Sequence, residues 1–436
     1  VGGWHMEAIC EHLEAVTKGD IKRLLINIPP RMSKPVRSDS LVLVRSKGLI
    51  ELNKVVTGDD ILTHRGRWRS IEAVHPQGAI PVLRLTTRRG RIIEAAPDHP
   101  FLTPDGWIEL GKIRPDDVVG IVPPQSNDAG VNSASPEEAR LLGYLVGDGC
   151  CQGTPNITCA DDIETSDILH CIKAVGFDPL EQKYKMASNG YILRRIAIKG
   201  GQAIGRGSKK KGSLGPVRQW LAERGLDGKN SYNKMIPNII LRGNERIIRE
   251  FIGAYWSCDG YISSRGPKRD GVERDDLRIG CDSVNFAFLL QMQCVLTNLG
   301  INSCLSKKTA KIKTKKQGDV YTSYTLQLNT QDDCWRFAKL IHLHHSKNDR
   351  LTSARLRRFD FDRPIWGDVV ASIEPAGEAD CICLTVNEDH SFTANGFAVH
   401  NSSIISVAWP AWTWIQAHDS YLEGPQVQFL FASYAE

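Results

Sequence analysis

The chain has 436 residues, 41% of them hydrophobic, and a formal net charge of +5, which is enough for roughly two to four domains with ordinary cores. That charge excess is too small to argue for nucleic-acid binding by itself; only local clusters, Lys209–Lys211 and the six lysines between Lys307 and Lys316, offer phosphate contacts or solvated loops. The twelve cysteines include no CxxC pair at zinc spacing and no long apolar run or signal peptide is visible, so a reducing cytoplasm, no disulfides and no membrane association are expected.

In chain order, residues 1–34 predict a helix with an apolar stripe (Ile9, Leu13, Val16), a strand over Arg23–Ile28 and a Pro29-Pro30 turn. Residues 35–122 are β-rich, with strands expected at Ser40–Val44, Asp60–Thr63, Pro81–Thr87 and Arg91–Ala95 between Gly and Asp turns. Pro123–Ser135 is polar and predicts a linker. From 136 to about 346 the pattern is mixed α/β. Strands return at Gly367–Pro375, Cys381–Val386 and Ser391–Val399, and 402–436 has helical and then strand-like character. The first residue is Val and the last segment stops in mid-pattern, so a fragment of a larger product is expected.

The middle region contains a weak internal repeat. Leu141-Leu142-Gly143-Tyr144-Leu145-Val146-Gly147-Asp148-Gly149 ends one apolar helix, and Ile252-Gly253-Ala254-Tyr255-Trp256-Ser257-Cys258-Asp259-Gly260 ends another. Each leads through strand-like segments and a second helix to a similar phrase, Ala174-Val175-Gly176-Phe177 or Asn298-Leu299-Gly300-Ile301. The two nonapeptides resemble the signature of the LAGLIDADG homing endonucleases. Gly143 and Gly147, with Ala254 and Cys258 in matching register, would let two helix backbones pack closely and bring Asp148 and Asp259 together. The resemblance implies that these carboxylates hold Mg²⁺ for phosphodiester cleavage, on double-stranded DNA read by a curved sheet from each repeat.

The boundaries of the β-rich region carry a second resemblance. Taking out everything from Pro35 to Asn401 joins the flanks as Pro-Pro-Arg-Met-Ser-Lys-Ser-Ser. His400-Asn401 before Ser402 is what a downstream splice junction requires. The segments Ser38–Leu43, Gly58–Leu62, Ala96–Phe101, Cys383–Val386, His390–Phe392 and Phe397–Asn401 resemble the motifs of inteins, whose fold is the Hint domain. Inteins ordinarily open with Cys or Ser, but Pro35 carries no nucleophile. The chain resembles instead the atypical class that uses an internal cysteine, here Cys383, where many inteins have Asp. By that resemblance Cys383 attacks the Lys34 carbonyl, His99 assists departure of the Pro35 nitrogen, and the acyl group passes to Ser402. Asn401 then cyclises with help from His400, and His390 belongs to the same catalytic set. Phe101 and Val399 stand where that class carries Trp and Thr, Ala96 where a Thr is usual, and Trp107 is nearby but out of register.

The joined flanks resemble the ATPase start of phage terminase large subunits. Lys34 would contact the β- and γ-phosphates of ATP and the Ser402 hydroxyl would bind Mg²⁺, with Arg31 in the same loop; Ile28 and Ser33 occupy the usual glycine positions.

The whole chain is expected to be a mostly β, discontinuous Hint domain (35–122 and 363–401) with an inserted α/β endonuclease of two pseudo-symmetric repeats (136–346). Short α/β ATPase flanks (1–34 and 402–436) bracket it. The expected activity is self-excision of 35–401, joining Lys34 to Ser402 without a cofactor, together with Mg²⁺-dependent cleavage of the uninterrupted terminase gene. The excised element is expected to be a monomer in the cytoplasm of a bacterial or phage-infected cell. Two alternatives stay open: a splicing-defective remnant within a motor protein, and a DNA-binding element that does not cleave.

Overall fold

The computed structural model describes residues 35–400 except 126–127, 187–191, 201–214, 265–276, 312–319, 329, 355 and 357–363, together with positions 11, 12, 14, 15, 18 and 20. The expected elements of the two flanks, and with them Arg31, Lys34, Asn401 and Ser402, lie outside the described residues. Among the described residues no helix is long and apolar enough to cross a membrane.

Short runs of aliphatic residues between turns form β1 (Val36–Arg37), β2 (Leu41–Val44), β3 (Gly48–Glu51), β4 (Asp60–Leu62), β5 (Trp68–Thr87), β6 (Ile92–Ala95), β7 (Pro100–Thr103), β8 (Gly106–Glu109) and β9 (Val118–Ile121). After the insertion, whose own strands are β10–β17, the body is completed by β18 (Trp366–Val386), β19 (Ser391–Ala394) and β20 (Phe397–His400). Strands from the two ends of the sequence interleave in the order β6-β1-β18-β9-β20-β7, so neither half has a complete sheet alone.

Three expectations are corrected here. The strand expected at Pro81–Thr87 is the last part of the 20-residue β5, and the two expected at Gly367–Pro375 and Cys381–Val386 are one 21-residue strand, β18. Pro76, Pro81 and Pro375 read as breaks in the sequence. The two long strands absorb their irregularities in register shifts at Pro375/Glu378 and Cys381/Ile382, which bend a ribbon without ending it. Ser391–Val399 is a hairpin, not a strand. Asn395 (φ 49°) and Gly396 (φ 85°) both adopt positive φ, and Ala394 pairs with Phe397 across them, as a two-residue Asn-Gly turn requires.

The repeat is realised as one unit built twice. In the first copy α1 (Pro136–Val146) leads to β10 (Gly149–Cys150), β11 (Asn156–Cys159), α2 (Asp162–Ala174), β12 (Phe177–Met186) and β13 (Ile192–Gly200). After α3 (Pro216–Glu223) and α4 (Asn238–Leu241), the second copy runs α5 (Glu245–Cys258), β14 (Gly260–Ser264), β15 (Leu277–Ser283), α6 (Phe286–Asn298), β16 (Cys304–Lys311) and β17 (Val320–Gln327). The sheets have matching orders, β10-β11-β13-β12 and β14-β15-β17-β16. Ser135 and Asn244 cap α1 and α5 by accepting from the Glu138 and Ile247 amides. The repeated Gly176 and Gly300, with φ of 90° and 70°, end α2 and α6. The chain closes this region with α7 (Gln331–Leu340) and α8 (Lys347–Ser353).

The expected linker is no free tether. Gly130 donates to the Arg45 carbonyl at 2.9 Å, Val131 to Arg242 at 3.0 Å, and Asn244 returns a bond to Val131 at 2.8 Å. On β2, Val42 and Val44 face the core of the β-body while Leu43 joins the core of the insertion. Arg91, 2% exposed, bridges the two. Its guanidinium donates to Thr297 Oγ1 (2.8 Å) and Asn302 Oδ1 (2.9 Å) of the insertion and lies 3.4 Å from Asp368 of β18. Burial lowers the Arg91 pKa and raises that of Asp368, so each charge depends on the other.

Arg91→Ala leaves Asp368 buried without its cation and strands two polar side chains. Equilibrium urea unfolding is expected to show a loss of about 3–5 kcal/mol, the cost of breaking one member out of a buried ion pair.

Candidate functional site

The sheet order brings the upstream boundary of the β-body beside Cys383. In the antiparallel pair of β1 with β18, Val36 lies opposite Ile382 and Arg37 opposite Cys381. One further step of this register sets Pro35 against Cys383, at the Cβ separation of about 5 Å typical of opposed residues. On its other side β1 meets β6, and the Ala96 amide donates to the Pro35 carbonyl at 3.0 Å. The loop that begins at Ala96 carries His99, 1% exposed. Its backbone is pinned from both ends: His99 N–H donates to Ala96 O (3.0 Å) and His99 O accepts from Leu110 N–H (2.8 Å). Pro35 precedes β1, Cys383 lies in β18 and the His99 loop follows β6, three adjacent strands of one sheet.

Cys383 is 3% exposed and pairs across the ribbon with His75 of β5. His75 Nε2 lies 3.0 Å from Thr385 Oγ1, and its carbonyl accepts from the buried Gln77 amide at 3.2 Å. The thiol is thus buried on a strand whose cross-ribbon partner, His75, comes from the segment before the insertion.

His400 ends β20, the described residue next to Asn401. Its ring meets Trp107 of β8 edge-on, with centroids 4.7 Å apart, and Trp107 meets His64 at 5.2 Å. His64 Nδ1 lies 2.6 Å from Ser391 Oγ, and Ser391 is the residue paired with His400 across the hairpin. Phe101 and Val399, the two departures from the atypical class, are opposed to each other in the β7–β20 pair and both fully buried. They make one apolar pair rather than two unrelated losses, with Phe101 wedged between His99 (5.7 Å) and Phe397 (6.1 Å).

His390 is half-buried with φ 46°, a left-handed conformation imposed on a non-glycine residue. The neighbouring Asp389 holds that corner. It accepts from Arg67 at 2.5 and 2.9 Å and from Thr63 Oγ1 at 2.6 Å. Burial alone would raise this carboxyl; the bonds from Arg67 and Thr63 outweigh it and bring the pKa down to about 2.

A second constellation lies where α1 and α5 cross. A Cβ on Gly143 would come within 2.5 Å of the Phe251 carbonyl, and one on Gly147 within 2.8 Å of Cys258 Cβ, so only glycine permits this approach. The crossing sets Asp148 and Asp259 at the paired helix ends. Both reach solvent yet lose hydration to the protein around them. Asp148 is pushed up by that loss, and Asp259 is pushed to about 6 by it and by the Asp148 charge. Two lysines oppose the rise. Lys234 Nζ donates to the carbonyls of Leu145 (2.7 Å), Val146 (3.3 Å) and Gly149 (2.5 Å). Lys347 Nζ donates to Trp256 (3.3 Å), Cys258 (3.3 Å) and Gly260 (2.8 Å). Each lysine thus satisfies the open carbonyls of one helix end. Glu164, buried and raised to about 8, accepts from Cys258 Sγ at 3.3 Å beside this pair.

The fit to a divalent cation is that of a two-carboxylate site. Among the described residues no group of three or more His, Cys, Asp or Glu could hold a metal, and the neighbouring carbonyls are occupied by lysine. Two repelling carboxylates that a cation would relieve suit Mg²⁺, which takes one or two protein carboxylates and completes its shell with substrate phosphate and water.

Sequence reasoning named Cys383, His99, His390, His400, Asp148 and Asp259 but missed His64, His75, Asp389, Lys234 and Lys347. The lysines had one readable signal: each follows its own aspartate at a similar distance, at matching places relative to the two repeats. His64 and His75 had none, since cross-strand and cross-loop neighbours leave no local pattern.

A family model described as the intein splicing domain matches residues 53–401. The replicative DNA helicase DnaB of Rhodothermus marinus is 27% identical over 267 residues, 61% of this chain and 26% of that protein. The chain spans about a quarter of the length of the curated relatives it matches. Among solved structures, the Ssp DnaB mini-intein variant M86 is 26% identical over 24% of this chain and 72% of its own, with a TM-score of 0.20. The N-terminal LAGLIDADG domain of DUF199/WhiA is 12% identical, covering 48% of this chain and 86% of its own, with a TM-score of 0.29.

With its carboxyl below the ordinary 3.8, Asp389 contributes folding stability that is complete above that value and lost as pH falls through about 2. Asp389→Asn is expected to cost about 2 kcal/mol at neutral pH, the scale of hydrogen bonds to a charged group. In urea titrations of both chains at descending pH, that difference should shrink as the medium approaches pH 2.

Proposed function

The chain belongs to the intein splicing domain family, and on that premise we propose that it excises residues 35–401 and joins Lys34 to Ser402, starting from the Cys383 thiolate. The observation that carries this reading is the register of β1 on β18, which pairs Val36 with Ile382 and, continued by one step, directs Pro35 toward Cys383. The thiolate attacks the Lys34 carbonyl carbon, the bond to the Pro35 nitrogen breaks, and a thioester forms. The Pro35 nitrogen leaves as an amine and needs a proton; His99, on the loop whose Ala96 amide holds the Pro35 carbonyl, is the group to supply it. The Ser402 hydroxyl then takes the acyl group, loses its proton and releases the Cys383 thiolate. The Asn401 side-chain nitrogen attacks its own backbone carbonyl, the bond to Ser402 breaks, and the freed Ser402 amine captures the acyl group from its own oxygen. No oxidation or reduction occurs, and no cofactor is required.

We further propose that the inserted body is a site-specific DNA endonuclease of the LAGLIDADG type, acting on duplex DNA that spans the uninterrupted insertion point. Its support is the paired Asp148 and Asp259 at a glycine-lined helix crossing, each flanked by a lysine. Asp148 and Asp259 would hold Mg²⁺, which supplies activation of water and charge neutralisation at the phosphate. Lys234 and Lys347 satisfy the carbonyls of the two helix ends beside that centre. The host reading rests on the joined Pro-Pro-Arg-Met-Ser-Lys-Ser-Ser phrase alone: a terminase-like ATPase whose Lys34, Arg31 and Ser402 meet ATP and Mg²⁺ only after ligation.

Two measurements test these proposals. In the full chain, followed by intact mass, Cys383→Ala is expected to abolish ligated flanks and cleavage before Pro35 while cleavage after Asn401 persists. Ligation that survives Cys383→Ala would sink the initiation step. On duplex DNA carrying the uninterrupted insertion site, Mg²⁺-dependent cleavage is expected from the wild-type chain and not from Asp148→Asn/Asp259→Asn. Equal cutting by both would remove the carboxylate pair from the chemistry.

A further inference from the structure

His64 belongs to no motif, yet it begins a line of contacts that ends on the residue before Asn401. It occupies the turn between β4 and β5, next to Thr63, whose hydroxyl donates to Asp389. Its Nδ1 lies 2.6 Å from Ser391 Oγ, and its backbone N–H points to the same oxygen at 3.4 Å. Ser391 is fully buried, so this anchor lies within the β-body. From it, the His64 ring meets Trp107 edge-on at 5.2 Å, and Trp107 meets His400 at 4.7 Å. Ser391 and His400 are themselves opposed across the β19–β20 hairpin. The four residues form a closed loop in which the His400 backbone is set by Ser391 and its ring by Trp107.

We propose that His64 and Trp107 are positioning residues for the Asn401 step: braced on Ser391, His64 holds Trp107 against His400 and thereby fixes the orientation of the imidazole that serves Asn401. The proposal rests on the splicing reading above. The physical need is specific. Cyclisation removes a proton from the Asn401 amide nitrogen and delivers one to the departing Ser402 nitrogen, and an imidazole serves only within hydrogen-bond reach of those atoms. His400 ends β20, and its ring packs edge-on against Trp107. A misplacement of an ångström at such a group costs catalysis out of proportion to stability. The groups around His64 are Asp389, Arg65 and Arg67; burial, reinforced by the two arginines, lowers its pKa against the pull of Asp389. His64 is therefore a neutral brace, hydrogen-bonded to a hydroxyl rather than ion-paired.

The contacts also account for a tryptophan out of register. The residue opposed to Val399 is Phe101, a core residue. Trp107 comes from the next strand, β8, and reaches the following residue of β20, His400, instead.

The test uses the full chain with both flanks, comparing wild type with His64→Ala, Trp107→Ala and Trp107→Phe. Cleavage before Pro35 is driven by added thiol, and cleavage after Asn401 is followed separately by intact mass. Trp107→Ala is expected to slow cleavage after Asn401 at least ~10-fold, a part of the ~10²–10⁴ that positioned acid–base help supplies. His64→Ala should slow the same step less, and Trp107→Phe should restore most of it. Thiol-driven cleavage before Pro35 should continue at the wild-type rate in all three. Unchanged cleavage after Asn401 in both alanine variants overturns the proposal. So does an equal fall of both cleavages together with a lowered melting temperature, which would make the cluster merely structural. Cleavage at that bond that survives Asn401→Ala in an otherwise wild-type chain would instead sink the splicing reading itself, whatever the His64 and Trp107 variants do.

Discussion

A two-residue strand holds the molecule's chemistry in register. β1 is inserted between β6 and β18, so the start of the β-body is hydrogen-bonded on one flank to the loop of His99 and on the other to the strand of Cys383. Antiparallel pairing permits no intermediate settings: a slip by one residue would turn every β1 side chain to the opposite face and remove Pro35 from Cys383. The register is guarded by Val36, fully buried in the β-body core, and by Arg37, which bonds Glu94 of β6 at 2.5 Å. A proline at position 35 is compatible with this arrangement because its carbonyl, and not an amide hydrogen, is the group that Ala96 engages.

The insertion obeys a different constraint, the close crossing of two helices. Glycine at 143 and 147 brings the carboxylate-bearing ends together; loss of hydration raises the pKa of both Asp148 and Asp259, and the Asp148 charge adds to the rise at Asp259. The lysine ammonium groups at both helix ends partly offset the repulsion while satisfying carbonyls that the helices leave open. Between the two bodies lies a continuous core surface: Leu43, Leu49 and Leu62 of the β-body join the insertion's core, and Arg91 is buried with partners on both sides. The inserted body is therefore packed onto the β-body rather than strung from it.

Much of this was legible in the sequence because it is written locally. The repeated Gly-Asp-Gly and Cys-Asp-Gly endings announced the helix pair, and the spacing of Gly143 and Gly147 announced its closeness. His400 and Cys383 were readable by their place within motifs. What stayed hidden depends on pairing between distant strands. Phe101 and Val399 look like two separate departures until the sheet sets them against each other. Trp107 looks misplaced until β8 brings it to His400. The length of β18 was hidden for a related reason: Pro375 and Gly377 signal a break in any local window, and only the long partner strand β5 carries the ribbon through them.

Interleaving of the first and last strands also sets an order of events during synthesis. Elongation is vectorial, and β1 has no partner on one flank until β18 has been made, more than 300 residues later. An intein that opened with its own nucleophile would carry a reactive side chain at its upstream junction throughout translation of the insert. On the proposed route the thiol arrives on the late strand itself, so a nascent chain that stalls within the insertion has not yet acquired Cys383. A nucleophile at residue 383 rather than residue 35 would make completion of the fold the condition for breaking the backbone.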